Sequence, residues 1–272
     1  MNYFIFCVVF IFGLTIGSFI NCLIYRLYIG KSFLRGRSFC PKCKHGLAWH
    51  DNIPLLSFFM LNGRCRYCRR ATSMQYPAVE LITAILFTAI FVLEVERCGG
   101  IAMDLMLFNC SFAQLLKLLR NWVFTFFLII IFVYDLRYYL ILDKVTVPAM
   151  MVALVFNLTL ADDMTVSIFW LLAAGSVAGG FFLIQFLVSK GKWIGGGDIY
   201  LGFLMGFMLG WPQILIALFV SYIVGSVVGI GLILSKRKTI KSEVPFGTFL
   251  SVGTFVTLMR GDWIIEKYLN LL

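Results

Sequence analysis

Charged residues are scarce in this chain of 272 residues, since Asp, Glu, Lys and Arg together make up only 13% of it. Hydrophobic residues make up 61%, a proportion that excludes an ordinary soluble domain. Several apolar runs approach the ~20 residues that a helix needs to cross a bilayer. Lipid forces backbone polar groups to pair within each segment, so the composition predicts an all-α polytopic membrane protein.

A secretory signal is also lacking. The first apolar run has no basic start and no small-residue cleavage site, so we expect it to remain as a membrane helix. The sequence shows no internal repeat and no low-complexity tract. Hydropathy predicts about eight transmembrane helices, at residues 3–27, 78–95, 121–141, 145–161, 167–188, 198–211, 213–234 and 245–260.

The net charge of +10 is distributed unevenly along the chain. Nine Lys and Arg residues lie between the first two predicted spans, and most of the others fall on the same side of the membrane. By the positive-inside rule this side is cytoplasmic and the N-terminus lies outside. No basic face interleaved with aromatic residues argues for nucleic acid, so membrane lipids are the expected partner of the basic surface.

The main polar insertion, at about residues 30–76, contains two C-x-x-C pairs separated by 21 residues. Two such pairs predict a tetrahedral zinc site, and four thiolates leave no open coordination position, which favours a structural role. Thiol redox chemistry is the rival interpretation of a lone C-x-x-C and is disfavoured by the presence of two pairs, while a cytoplasmic location disfavours disulfides. His45 and His50 lie in the same loop as alternative ligands, although solvated histidines are the simpler reading. The predicted ligands are Cys40, Cys43, Cys65 and Cys68.

Four more cysteines lie elsewhere in the chain. Cys7 and Cys22 fall within the first predicted span, where a thiol commonly serves as a small apolar group in packing. Cys98 and Cys110 fall on the predicted outer side, where a disulfide can persist. The sequence leaves open whether these two cysteines pair.

Ionisable residues at membrane depth are functional candidates, because each costs ~2.5–3.5 kcal/mol on insertion scales. Asp135 lies near the cytoplasmic end of the third predicted span and Asp198 opens the sixth, so the topology brings both to the cytoplasmic side. Two carboxylates at one site share a proton and can activate water against a carbonyl, as in aspartic proteases. Structural and ion-translocating roles remain open at this point. The full set of candidates is Glu80, Asp135, Asp143 and Asp198.

Five motifs follow one another along nearly the whole chain. They are GSFINCLIYRL (17–27), the cysteine pairs followed by YPAVE (76–80), DLRYYLILD (135–143), GGGD (195–198) and VPFGTFLSVG (244–253). In this order they resemble the motifs of the type IV prepilin peptidases, which are intramembrane aspartic proteases of the GxGD type. The resemblance implies that Asp135 and Asp198 are catalytic. Asp143, eight residues after Asp135, is interpreted as the boundary between two helices and stays a competitor for the catalytic role.

The resemblance also implies the reaction. Such enzymes remove the short basic leader of prepilins and pseudopilins, after a glycine, at the cytoplasmic face of the bacterial inner membrane. Members with the four-cysteine domain commonly methylate the new N-terminal amine with S-adenosylmethionine. The implied organisation is a first transmembrane helix (1–29), a zinc domain that contributes to methyl transfer (30–76) and a transmembrane peptidase domain (77–272).

Some positions depart from the family pattern. Tyr200 stands where lysine is usual, and Thr248 stands where proline is common. No soluble Rossmann glycine signature is present, so an S-adenosylmethionine site must be assembled from the insertion and the membrane helices. Glu80 either contributes to such a site or pairs with Arg66, Arg69 or Arg70. The alternative functions are a peptidase with a purely structural zinc domain, an ion-coupled transporter, and a zinc-bearing scaffold.

Overall fold

The structure, a computed structural model, describes residues 3–32, 38–98, 111–236 and 244–270. Its regular elements are helical, which confirms the predicted all-α class. One short 3₁₀ helix, Trp49–Asn52, accompanies nine α-helices within these ranges. The α-helices are α1 (Tyr3–Tyr28), α2 (Leu56–Met60), α3 (Gln75–Arg97), α4 (Phe112–Tyr138), α5 (Asp143–Thr159), α6 (Met164–Ser189), α7 (Gly196–Leu209), α8 (Gln213–Leu234) and α9 (Phe246–Leu269).

Five of these helices are long and apolar enough to cross a membrane, namely α1, α3, α4, α6 and α8. The chain is therefore a multi-pass membrane protein by the length and composition of its helices. α7 is apolar but has only 14 residues, and α5 has 17. The eight predicted segments all correspond to helices, while the count of eight membrane crossings stays a prediction.

The chain divides into two compact units, Met1–Leu118 and Leu119–Leu272. In the first unit α1 packs against α3. Glycines allow this approach, since a Cβ at Gly13 would lie 2.6 Å from the Cα of Ala84. The cysteine insertion lies between these helices in sequence and contains α2, the 3₁₀ helix and two isolated β-bridges. Cys98, in the first unit, is disulfide-bonded, and Cys110 lies outside the described residues.

In the second unit α7 packs most extensively against α6, and it also contacts α5 and α9. Two small-xxx-small motifs face each other across the α6–α7 contact, Gly175–Gly179 and Gly202–Gly206. A Cβ at Gly206 would collide with the backbone of Gly175, so the two helices touch at main-chain distance. Such close packing is the usual way for helices to associate in lipid, where apolar burial alone offers little driving force.

This packing gives a direct test of the fold. Gly206→Ala should lower the free energy of unfolding by ~1–3 kcal/mol, because the added methyl group meets the α6 backbone and overpacks the contact. Gly180→Ala, on the same pair of helices, is the matched control, since a Cβ there meets nothing within 4 Å. Unfolding midpoints in SDS titrations of the micellar protein measure both changes. Equal midpoints for the two variants would contradict the assigned α6–α7 contact.

Candidate active site and metal centre

Asp135 lies near the end of α4, three residues before its last residue, and is only 4% exposed. Its Oδ2 accepts a hydrogen bond of 2.9 Å from the backbone N–H of Thr248, in the first turn of α9. The first turn of a helix carries backbone donors that have no partner within the helix. A carboxylate at this position satisfies one of them and interacts favourably with the helix dipole. The start of α9 therefore holds Asp135 in place.

Asp198 is held in the same manner by its own helix. It is the third residue of α7, is 6% exposed, and its Oδ2 accepts a hydrogen bond of 2.9 Å from the N–H of Gly195. In a capping box, the acidic side chain at the third helical position accepts a hydrogen bond from the backbone N–H of the N-cap residue, and Asp198 makes this interaction with Gly195. The sequence GGGD thus forms a helix start whose carboxylate turns back onto the first backbone donor.

The glycines before Asp198 adopt backbone angles that other residues also adopt. Neither Gly195, Gly196 nor Gly197 has a positive φ. Only Gly197 makes a close approach, because a Cβ there would lie 2.8 Å from the Cβ of Ile141. The other face of Ile141 lies against Gly247, where a Cβ would lie 2.9 Å from Ile141 Cδ1 and 3.0 Å from Asp135 Oδ2. Ile141 is thus enclosed by the two glycines beside the two carboxylates.

Both aspartates belong to the second unit, and the charge of Asp135 acts on Asp198. The structure therefore brings together the two residues that the sequence singled out. Asp143 is exposed at the start of α5, in contrast to the buried pair. Tyr200 is 45% exposed, and at ~100° per residue it points away from the face that carries Asp198. Two buried carboxylates that interact can bind one proton between them, which is the arrangement of an acid and base pair.

Polar and aromatic side chains near the pair were not identified from the sequence. Tyr222 of α8 interacts electrostatically with Asp198. Its hydroxyl group is hydrogen-bonded to the side-chain amide of Gln185 in α6. The Tyr222 ring packs edge-on to Phe246, which begins α9. Single polar residues within long apolar helices are the signal that could have pointed to Tyr222 and Gln185.

The four predicted metal ligands also come together, within the first unit. The sulfur atoms of Cys40, Cys43, Cys65 and Cys68 all lie within 4.8 Å of one another. Four converging thiols fit a tetrahedral metal ion, and the donor set favours zinc. Burial raises the pKa of the Cys40 thiol, but the backbone N–H groups of Cys43 and Lys42 together with the Cys43 and Cys65 thiols lower it to about 7, while the same thiol–thiol contacts raise the pKa of Cys43 to about 11. The Cys40 thiol is therefore readily available as the thiolate that a metal requires.

Each cysteine pair forms the same small loop, a repeat that the sequence did not reveal. Cys40 donates its N–H to His45 and accepts from Lys44, while Cys65 donates to Arg70 and accepts from Arg69. Lys44 and Arg69 both have a positive φ, 61° and 58°. A β-bridge closes each loop, Phe39 with Gly46 and Arg64 with Ala71. Two equivalent turns thereby present two sulfur atoms each to one centre.

Asp51 links the second loop to the segment between the two loops, a role not foreseen from the sequence. Its carboxylate accepts hydrogen bonds from Arg66 (2.7 Å), Tyr67 (3.2 Å) and the Ala48 N–H (3.2 Å). Burial raises the pKa of Asp51, but these hydrogen bonds outweigh it and hold the pKa below its ordinary value. His45 stacks on Tyr67, and neither histidine belongs to the sulfur cluster.

Glu80 lies near the start of α3 and is 7% exposed. Its Oε2 accepts a hydrogen bond of 2.8 Å from the Leu55 N–H, and Ser18 of α1 also hydrogen-bonds to it. The proposed pairing with arginine is not observed within the ranges that the structure covers, since Arg66 binds Asp51 instead. Glu80, on α3, therefore connects to the insertion through the Leu55 N–H and to α1 through Ser18, and both of these groups are uncharged.

Family models match both parts of the chain. The bacterial peptidase A24 N-terminal domain matches residues 11–93, and the type IV leader peptidase family matches residues 122–230. The first match contains the four cysteines and Glu80, and the second contains Asp135 and Asp198. No solved structure matches the chain.

Curated relatives are similar over almost the full length. A prepilin leader peptidase/N-methyltransferase of Aeromonas salmonicida is 32% identical, over 97% of this chain and 94% of the relative. The protein of the same name from Bacillus subtilis is 31% identical, over 97% of this chain and 98% of the relative. A third, from Legionella pneumophila, is 29% identical over 99% of this chain and 97% of the relative.

Proposed function

The chain belongs to the type IV leader peptidase family, and we propose that Asp135 and Asp198 carry out its peptide hydrolysis. Its activity is cleavage of prepilin leader peptides, followed by N-methylation of the new N-terminus. The observation that supports the catalytic assignment is the pair of buried carboxylates, one from α4 and one from α7, each held by a backbone N–H of a helix start. An ion-coupled transporter is not favoured, because the family and its relatives are peptidases.

The proposed hydrolysis uses the pair in one protonated and one ionised form. The ionised carboxylate takes a proton from a water molecule, which attacks the scissile carbonyl, while the protonated carboxyl donates its proton to the carbonyl oxygen. The two aspartates titrate as a unit, so neither role belongs to one residue in isolation. The backbone donors of Thr248 and Gly195 fix the orientation of the carboxylates without adding a competing charge.

We further propose that both aspartates act at the cytoplasmic face of the bacterial inner membrane. The charge distribution supports this orientation, because the basic insertion and the loop that precedes Asp198 fall on one side. The expected substrates are prepilins or pseudopilins, whose basic leaders would lie at an anionic lipid surface. No nucleic acid partner is proposed.

For the four-cysteine cluster we propose a structural zinc ion. A ligand set of four thiolates satisfies tetrahedral zinc completely, which leaves no position for a substrate. The insertion offers little apolar core of its own, so a metal would supply much of its folding energy. In this proposal zinc holds the two loops in register, and S-adenosylmethionine is the methyl donor that binds elsewhere in the protein.

The catalytic assignment predicts the effect of neutralising each aspartate. Asp135→Asn and Asp198→Asn should each lower the cleavage of a prepilin by at least ~10³-fold, because an amide can neither take nor donate the required proton. The measurement is intact-mass analysis of leader loss by purified enzyme in lipid nanodiscs. Asp143→Asn is the matched control and should keep activity near that of the unaltered chain, since Asp143 is exposed and outside the pair.

Thermal unfolding of the three variants separates chemistry from folding. Inactive variants that unfold at the unaltered temperature support the assignment. Full activity in either Asp135→Asn or Asp198→Asn would contradict the catalytic assignment. Loss of activity in Asp143→Asn alone would assign the catalytic role to Asp143.

The glycines of the GGGD stretch should differ in their tolerance of a methyl group. Gly197→Ala should lower kcat for prepilin cleavage by about 10-fold or more, because its Cβ displaces Ile141 from the space beside the two carboxylates. Gly196→Ala is the matched control, because a Cβ there meets no atom within 4 Å. Steady-state kinetics on one prepilin substrate measures both. Equal losses in the two variants would contradict the role given to Ile141.

The zinc proposal predicts one zinc ion per chain by elemental analysis of washed protein. Cys40→Ser and Cys65→Ser should each reduce the zinc content to a small fraction, because a neutral hydroxyl is a poor substitute for a thiolate. Cys7→Ser is the control, since Cys7 is an exposed thiol of α1 outside the cluster. Less than half an ion in the unaltered chain after zinc loading would overturn the proposal.

A further inference from the structure

The first unit contains a cavity of about 520 Å³ that borders the sulfur cluster and contains neither aspartate of the proposed peptide hydrolysis. Its walls come from α1, from the start of α3 and from the insertion, and Cys40 and Cys65 line one side. This volume falls within the ~300–1,000 Å³ range of small-molecule sites. The cavity is therefore large enough for a nucleoside-sized ligand and lies wholly within one unit.

Buried polar side chains line this cavity, among them Glu80, Asn21 and the carboxylate of Asp51, which is paired with Arg66. Glu80 is 7% exposed, and its partners are the Leu55 N–H and Ser18, so among the described residues no ion pair neutralises its negative charge. Asn21 is 3% exposed, and its Nδ2 donates to the Tyr76 carbonyl at 3.0 Å. Its Oδ1 has no hydrogen-bond partner in the part of the chain that the structure describes.

An unpaired buried acceptor is costly, and a native structure rarely leaves one without a reason. An acceptor and a carboxylate together at a cavity wall favour a ligand that carries a positive charge and hydrogen-bond donors. Arg26 is also buried and lines the cavity, where it donates to the Ser32 carbonyl and contributes positive charge to this wall. Aromatic rings in the wall, among them Phe58 and Phe39, suit a planar base or an onium group.

We propose that this cavity is the methyl-donor site, and that Glu80 and Asn21 bind the sulfonium end of S-adenosylmethionine. The inference rests on the proposed N-methyltransferase function and adds to it a location and two named residues. The ligand carries the features that the cavity selects, namely a sulfonium cation, an amino acid carboxylate, and a base and ribose with hydrogen-bond donors. Glu80 stabilises the cation through its charge, and Asn21 gains the donor that its Oδ1 lacks.

The transfer itself balances with this ligand alone. The lone pair of the neutral N-terminal amine forms a bond to the methyl carbon, and the carbon–sulfur bond breaks with its electron pair returning to sulfur. The sulfonium becomes a neutral thioether, and the methylated ammonium releases one proton to water. The product thus loses the charge that Glu80 binds, which favours exchange of the spent donor for a fresh one.

The test measures binding, independently of turnover. Dissociation constants for S-adenosylmethionine, for the cationic analogue sinefungin and for the neutral S-adenosylhomocysteine are determined on the full chain in nanodiscs. Glu80→Gln should weaken the two cationic ligands by about 10-fold or more and the neutral ligand by less than about 3-fold. Glu94→Gln is the matched control, a buried glutamate on the same helix outside the cavity, and should change none of the three.

A second variant tests the cavity by volume. Ser57 lines the cavity, and Ser57→Phe should weaken all three ligands alike by filling the space. Zinc content and prepilin cleavage report whether each variant is folded. A charge-selective loss in Glu80→Gln, with a uniform loss in Ser57→Phe, supports the proposal.

Other outcomes overturn it at different levels. If the unaltered chain methylates its product but Glu80→Gln binds all three ligands normally, or loses them equally, the assigned site is wrong and the function stands. If the unaltered chain cleaves prepilin yet neither binds S-adenosylmethionine nor methylates, the methyltransferase function itself fails, and the inference fails with it.

Discussion

Burial of carboxylates in an apolar protein is the constraint on which the second unit depends. Such groups are expensive in a membrane unless fixed dipoles stabilise them. Here the dipoles are the unsatisfied N–H groups of helix starts, with Thr248 serving Asp135 and Gly195 serving Asp198. The beginning of α9 must therefore lie beside the end of α4, so that Thr248 can reach Asp135. The start of α7 must likewise place Asp198, its third residue, in the protein interior. The small-residue contact between α6 and α7 fixes α7 closely enough to maintain this arrangement.

The first unit meets the opposite difficulty, because its insertion is polar and short. A segment of this size gains little free energy from apolar burial, and cross-links or metals commonly make up the deficit. The insertion is stabilised instead by polar contacts. These are the cluster of four sulfur atoms, the backbone hydrogen bonds of the two equivalent loops and the hydrogen bonds of Asp51. Glu80 and Asn21 then connect the insertion and the start of α3 to α1. A rigid wall made in this way can enclose a cavity that apolar helices alone would fill.

The sequence predicted those features that are expressed locally. Long apolar runs gave the eight major helices, and the rarity of ionisable groups within them singled out Asp135 and Asp198. The cysteine spacing gave the sulfur cluster, because ligand geometry is encoded in short motifs. The Thr248 donor was not predictable, since it lies 113 residues from its acceptor and is a backbone group present in most residues. The cavity and the role of Ile141 were missed for the same reason: both arise from packing between distant segments.

The contacts of Tyr200 and Thr248 explain what the two departures from the family pattern change in the structure. Tyr200 replaces a usual lysine on a part of α7 that turns away from Asp198, so the substitution alters an exposed surface and leaves the carboxylate contacts intact. Thr248 replaces a common proline at the position that donates its N–H to Asp135. Proline has no such donor, so a chain with proline there must orient its first aspartate by other groups. In this chain the Thr248 hydroxyl also donates to the Pro245 carbonyl, which ties the helix start together. The substitution thus changes how the carboxylate is held, while the buried pair on which the proposed hydrolysis depends is kept.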